Sequence, residues 1–105
     1  MREHKRRRLE SKGWRVGDAR ELLSLSDQEA LFIELKLALS RDLKARRLRL
    51  HLSQAQVAAQ LRSSQSRIAK MEAGDPTVSV DLLVRCLLAL GASREELAKS
   101  IARAA

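Results

Sequence analysis

The chain has 105 residues, 45 % hydrophobic but only 2 % aromatic, with 21 Lys and Arg against 13 Asp and Glu, a net charge of +8. That length sets one domain as the expectation, and a core restricted to Leu, Ala, Val and Ile favours packed helices over a sheet. A single cysteine, Cys86, rules out an internal disulfide, and no apolar run approaches the roughly 20 residues of a membrane span. The basic N-terminus lacks the apolar stretch of a secretory signal, so a reducing, cytoplasmic setting is expected.

Residues 1–12 (MREHKRRRLESK) are dense in charge and without periodicity. They read as a mobile arm, open to three uses: contact with phosphates or a groove, folding onto a partner, or solubility alone. Gly13 to Gly17 reads as a tether whose Trp14 and Val16 can dock on the body. The arm and tether thus take residues 1–17, and the folded domain residues 18–105. Asp18 and Glu21 form a capping-box pattern for a short helix near 19–23. Ser26 and Glu29 repeat it and open the longest helix, about 27–49. Phe32, Leu35, Leu39, Leu43 and Leu50 fall on one face of that helix at 100° per residue. Ile33, Leu37 and Leu48 fall on the other. Apolar residues on two sides mean something covers each side, either the segment around Trp14 to Leu25 or a second subunit.

Ser53 to Gly74 (SQAQVAAQLRSSQSRIAKMEAG) carries the densest signal. Ser53 and Gln56 are a third capping box, starting a helix over about 54–61 with Val57, Ala58 and Leu61 inward. Arg62-Ser63 forms a turn. Ser64 caps a second helix, about 65–73, with Ile68 and Met71 inward and Gln65, Ser66, Arg67 and Lys70 outward. Gly74 ends it through a left-handed cap. Two short helices joined by a 3–4-residue turn make a helix-turn-helix, and the outward residues carry the donors and acceptors that read base edges and hold phosphates. Asp75-Pro76 marks a turn. Ser79 caps a helix over about 80–90, stopped by Gly91, and Ser93 with Glu96 opens the last, about 94–103. The 80–90 helix has two stripes, Val80, Leu83, Val84, Leu87 and Leu90 on one side and Leu82, Cys86 and Ala89 on another. The second stripe, like Ile33 and Leu37, is either further core or a dimer interface. Cys86, set among apolar neighbours, reads as core filler. The fold class is therefore all-α, five main helices plus the short N-terminal one.

Charge is unevenly placed. Residues 43–70 hold seven Lys and Arg and no acid, and residues 1–20 hold eight basic and three acidic residues. This is the electrostatic footprint of a polyanion partner. Part of it also suits the helix macrodipole, because the long helix begins acidic and ends with Lys44, Arg46, Arg47 and Arg49.

The motif LSQAQVAAQLRSSQSRIAKMEAG followed by SVDLLVRCLLALGASREEL resembles the Xre / λ-repressor-like helix-turn-helix family from Leu52 through Leu97. Within that family it is similar to the HigA-type antitoxins and related small regulators, whose extended N-terminal part GWRVGDARELLSLSDQEA also resembles. The resemblance implies a λ-repressor-like bundle that binds double-stranded DNA, generally as a homodimer on a palindrome. Gln65, Ser66 and Arg67 would then meet base edges, Gln54 would contact phosphate and brace the recognition helix, and Ser64, Lys70, Arg62 and Arg47 would contact phosphate. Glu72 would be structural, pairing with a nearby arginine. The chain departs from the family pattern at Arg62, where Gly is usual, at Ser63, where an apolar residue usually packs, at His51, where Gly often ends the first helix, and at Arg46, where Leu is common. A left-handed Arg62 would be strained by roughly 1 kcal/mol.

Little supports an enzyme. One Cys and two His do not compose a zinc site, no phosphate-binding glycine loop or nucleophile elbow is present, and Ser63, Ser64 and Ser66 read as cap and contact residues. No cofactor is implied. Three functions remain in contention: a sequence-specific repressor; an antitoxin that also holds a small ribonuclease toxin of the HigB/RelE type, with Glu21, Asp27, Glu29 and Glu34 as its acidic contacts; and a protein-interaction helix-turn-helix with little or no DNA binding. RNA binding is disfavoured because aromatic stacking platforms are missing.

Overall fold

A computed structural model describes the backbone of residues 16–104 and the side chains of residues 26–103. The arm, Trp14 and the docking expected of Trp14 and Val16 lie outside those described residues. Five helices follow one another: α1 (Val16–Arg49), α2 (Gln54–Gln60), α3 (Gln65–Glu72), α4 (Val80–Ala89) and α5 (Arg94–Ala104). Among the described residues there is no strand, and no helix is long and apolar enough to cross a membrane.

The helix expected near 19–23 does not stand apart. It is absorbed into α1, which is unbroken for 34 residues. Ser26 and Glu29, expected to cap a new helix, sit inside it. The reason is that serine costs only a few tenths of a kcal/mol in a helix interior, so a capping pattern flanked by Glu, Leu, Gln and Ala lacks the force to break the run. The described residues up to Ile33 and those from Glu34 onward fall into two compact units. In the first, Leu31, Phe32 and Ile33 are exposed side by side.

The second unit holds the core. Leu39 and Leu43 of α1, Val57 and Ala58 of α2, Ile68 and Met71 of α3, and Leu83, Cys86 and Leu87 of α4 are buried together, with Val78 and Leu90. Leu82, one of the residues expected at an interface, packs against this cluster, and Cys86, another, is part of it. Leu82 and Cys86 are therefore core, because α4 is covered on more than one side. Ala89 remains exposed, Leu37 is half-buried, and Ile33 is exposed. Burial pushes the Cys86 thiol up from its usual range, with Arg67 opposing, as for an inert core thiol.

Four helices end in the same way. In each, the amide two residues past the cap bonds back to the carbonyl three residues before the cap: Leu52 to Arg47, Ser63 to Ala58, Asp75 to Lys70 and Ala92 to Leu87. These are Schellman motifs, which require a left-handed residue in between. That residue is His51 (φ 58°), Arg62 (φ 53°), Gly74 (φ 73°) and Gly91 (φ 93°) in turn. The starts are equally regular. Ser53, Ser64 and Ser79 each accept a backbone N–H with the side-chain oxygen, and Ser93 and Glu96 form a reciprocal box at α5.

The last helix is fastened to α1 by polar contacts. Glu96 pairs with Arg46, Ser100 donates to Asp42, and Arg103 lies 3.4 Å from the same carboxylate. Bonding from the Ser93 N–H, and then the Arg46 charge, hold the Glu96 carboxyl below its ordinary value. Its contribution is thus present above the unfolded pKa and lost as pH falls through the lowered folded value.

Gly74 also lies close against α1, since a Cβ there would lie 2.5 Å from Leu37 Cδ2. Gly74→Ala should destabilise the fold by about 1–3 kcal/mol, combining the left-handed penalty with displacement of Leu37. A lower urea midpoint at unchanged slope would register it.

Candidate nucleic-acid interface

The helix-turn-helix is set in place by a buried ion pair. The Arg47 guanidinium donates to both oxygens of Glu72, from Nε at 2.6 Å and Nη2 at 3.0 Å. Its Nη1 donates to the Leu52 carbonyl at 2.9 Å. The two side chains are only 10 % and 4 % exposed. The bonds to Glu72 outweigh the desolvation of Arg47 and raise its pKa, so it stays charged. Gln54, at the start of α2, donates to Glu72 Oε1 at 3.2 Å. The end of α1, the start of α2 and the end of α3 thus meet on one carboxylate. Glu72 pairs with an arginine, as expected of it, and Gln54 hydrogen-bonds the same carboxylate. Arg47 does not fit its expected part as a phosphate contact, because its guanidinium is buried and its donors face Glu72 and Leu52.

Between α2 and α3 the chain turns through Leu61 to Ser64. The turn needs a left-handed residue, and Arg62 supplies it in place of glycine. Its side chain is exposed, so the strained position carries a cation. Ser63 is half-buried, and its Oγ finds no hydrogen-bond partner among the described residues. A hydroxyl thus occupies a site that suits an apolar side chain, at a cost of about 1–3 kcal/mol for the unmet bond.

The face of α3 follows from its period. Ile68 and Met71 point into the core, which leaves Gln65, Ser66, Arg67 and Lys70 exposed. Ser64 caps the helix by accepting from the Arg67 N–H at 3.2 Å and lies 3.3 Å from the Ser66 hydroxyl. Ser64, Ser66, Arg67 and Lys70 also line a cleft with Thr77, Val78 and Leu82. The structure therefore brings together Ser64, Gln65, Ser66, Arg67 and Lys70 on α3, and it leaves Arg62 exposed on the turn.

Thr77 was not singled out by the sequence reasoning. Asp75 accepts from both the Thr77 N–H at 2.8 Å and the Thr77 hydroxyl at 2.6 Å. These bonds, followed by the charges of Lys70 and Lys36, hold the Asp75 carboxyl below its usual range. Lys36 donates to the Pro76 carbonyl at 2.9 Å. The only sequence signal was the Asp-Pro-Thr turn, which marks a bend without saying that it borders the α3 face.

The electrostatics favour a polyanion. From Leu43 through Lys70 the chain has no acid, and the next acid, Glu72, is buried against Arg47. The exposed charges from the start of α2 to the end of α3 are therefore Arg62, Arg67 and Lys70. Among the described residues no group of His, Cys, Asp and Glu is placed to hold a metal ion.

A family model described as a helix-turn-helix domain matches residues 38–99, more than half of the chain. The chain belongs to that family. No curated protein and no solved structure matches it. The matched span of this helix-turn-helix domain begins in the second half of α1 and reaches into α5, so it contains the core, the Arg47–Glu72 pair and the α3 face. Membership supports DNA binding.

Two substitutions test the geometry. Glu72→Ala strands the buried Arg47 charge and should destabilise the protein by about 3–5 kcal/mol, read from urea or thermal unfolding. Arg62→Gly removes the left-handed strain and should stabilise it by up to about 1 kcal/mol, less the entropy that glycine adds to the unfolded chain. A fall in stability on Arg62→Gly would mean that the side chain makes a folding contact of its own.

Proposed function

We propose that this helix-turn-helix domain is a sequence-specific transcriptional repressor of the Xre / λ-repressor-like kind, with α3 as its recognition helix in the major groove. The observation that carries the reading is the composition of the α3 face. It presents Gln65, Ser66, Arg67 and Lys70 to solvent with no exposed acid among them. Gln pairs bidentately with adenine and Arg with guanine. Lys70, one turn further on, suits a phosphate, as do Arg62, Ser64 with the α3 N-terminus, and the amide hydrogen of Gln54 not given to Glu72. One short helix reads few base pairs, so a homodimer on a palindrome, half-sites one helical turn apart, completes the reading. Ile33, exposed beside Leu31 and Phe32, is the expected interface residue best placed to meet a second copy.

A toxin-neutralising role is the second reading, and one observation favours it. Leu31, Phe32 and Ile33 are exposed large apolar side chains with Asp27, Glu29 and Glu34 exposed around them. Large apolar side chains exposed among carboxylates suit a small basic partner such as a ribonuclease toxin. Co-purification with the product of the neighbouring gene would support it, and failure of the co-expressed pair to associate would remove it.

DNA binding should weaken steeply between low and moderate salt, because several Lys and Arg release counterions. On the cognate duplex, Arg67→Ala should cost about 1–3 kcal/mol and relax specificity at one base position, whereas Lys70→Ala should weaken all sequences alike. Gel-shift titration on operator and scrambled duplexes, the operator taken from selection on random DNA, separates the two effects. Equal losses on both duplexes for Arg67→Ala would remove its base-reading role. No duplex binding even at low salt would point to a protein-interaction module.

A further inference from the structure

A second cationic cleft lies between α1 and α5, built from residues that the α3 face does not use. It has a volume of about 210 Å³ and is lined by Arg46, Arg49, Lys99 and Arg103, with Asp42 and Glu96, above a floor of Leu87, Ala92 and Leu97. The two acids are already engaged: Glu96 pairs with Arg46, and Asp42 accepts from Ser100 and Arg103. Arg49 and Lys99 have no carboxylate partner among the described residues. Two positive charges thus remain uncompensated in one concave site. The Arg46 side chain is only 13 % exposed, yet among the described residues it hydrogen-bonds Glu96 alone. Its remaining N–H donors have no partner among the described residues and are free to meet a ligand in the cleft.

We propose that this cleft binds a small oxyanion, of the phosphate or dicarboxylate class. Two excess positive charges match a dianion. The volume falls below the roughly 300 Å³ at which sites for drug-sized ligands begin, which favours a small ion over a nucleotide. Arg46 supplies planar N–H donors suited to a carboxylate or phosphate, Arg49 and Lys99 supply charge at the rim, and the apolar floor accommodates a short carbon chain. Because Arg46 and Asp42 belong to α1 while Lys99 and Arg103 belong to α5, a bound anion links the two helices.

The test is an amide chemical-shift titration of the full chain with inorganic phosphate and, separately, with succinate, each against sodium chloride at matched ionic strength. The expected result is saturable shifts near Arg46, Arg49, Ala92 and Lys99 with at least one of the two anions, and none with chloride. Saturation by phosphate alone or by succinate alone supports the site and assigns its class. The exposed pair Arg49→Gln with Lys99→Gln should weaken binding by about tenfold or more with an unchanged circular dichroism spectrum, while Arg67→Gln leaves it intact. Shifts that follow ionic strength without saturating, shifts confined to Ser64–Lys70, or undiminished affinity in the double variant would each overturn the proposal.

Discussion

One buried carboxylate decides how the two motif helices stand. Glu72 takes a two-pronged bond from Arg47 and a third from Gln54, and Arg47 in turn holds the Leu52 carbonyl at the end of α1. An isolated charge in that position would be expensive, and the pair is tolerable because nearly every donor and acceptor has a partner. Such an arrangement is geometrically demanding, since a guanidinium fork meets a carboxylate in few orientations. It therefore fixes where α3 ends relative to α2, beyond what contacts between Val57, Ile68 and Met71 can specify. Apolar side chains of similar volume repack more readily than a planar ion pair reorients.

The same pair shapes the electrostatics of the surface. Glu72 would otherwise place a negative charge within a turn and a half of Arg67 and Lys70. Buried and neutralised by Arg47, it leaves the α3 face to cations and amides. The cost is that Arg47 is withdrawn from the surface, so the acid-free run from Leu43 to Lys70 presents fewer cations to DNA than a count of residues implies. Structural stability and surface charge draw on one arginine, and the structure assigns it to stability.

Much of the architecture was legible because the helix ends are written in short-range chemistry. Ser53 with Gln56, Ser64, Ser79 and Ser93 with Glu96 each occupy the capping position that their spacing indicates, and Gly74 and Gly91 each close a helix with positive φ. The same logic failed at Ser26. A capping pattern says that a helix can start there, but only a breaker or a tertiary contact says that the preceding residues must not already be helical. At Leu82 and Cys86 the difficulty was different. A second apolar stripe on α4 looks alike whether another helix or another subunit covers it, and only the packing of the remaining helices separates the two. Thr77 was hidden for a similar reason, because its closeness to α3 arises from how the loop folds back and leaves no periodic trace.

The four Schellman ends are alike in hydrogen bonding but unlike in residue. Helices α3 and α4 leave through glycine, whereas the segment that holds α2 is entered after His51 and left through Arg62, both bearing a Cβ in the left-handed region. Each such residue carries a penalty of roughly 1–2 kcal/mol, so the strain is concentrated at the two ends of a seven-residue helix. Local opening should follow that distribution. The amides of α2 and its flanking turns would exchange with solvent sooner than those of α4, which sits deepest in the core. The part of the domain that braces α3 would then also be the part that yields first, and docking on a surface that holds α2 in place would protect it most.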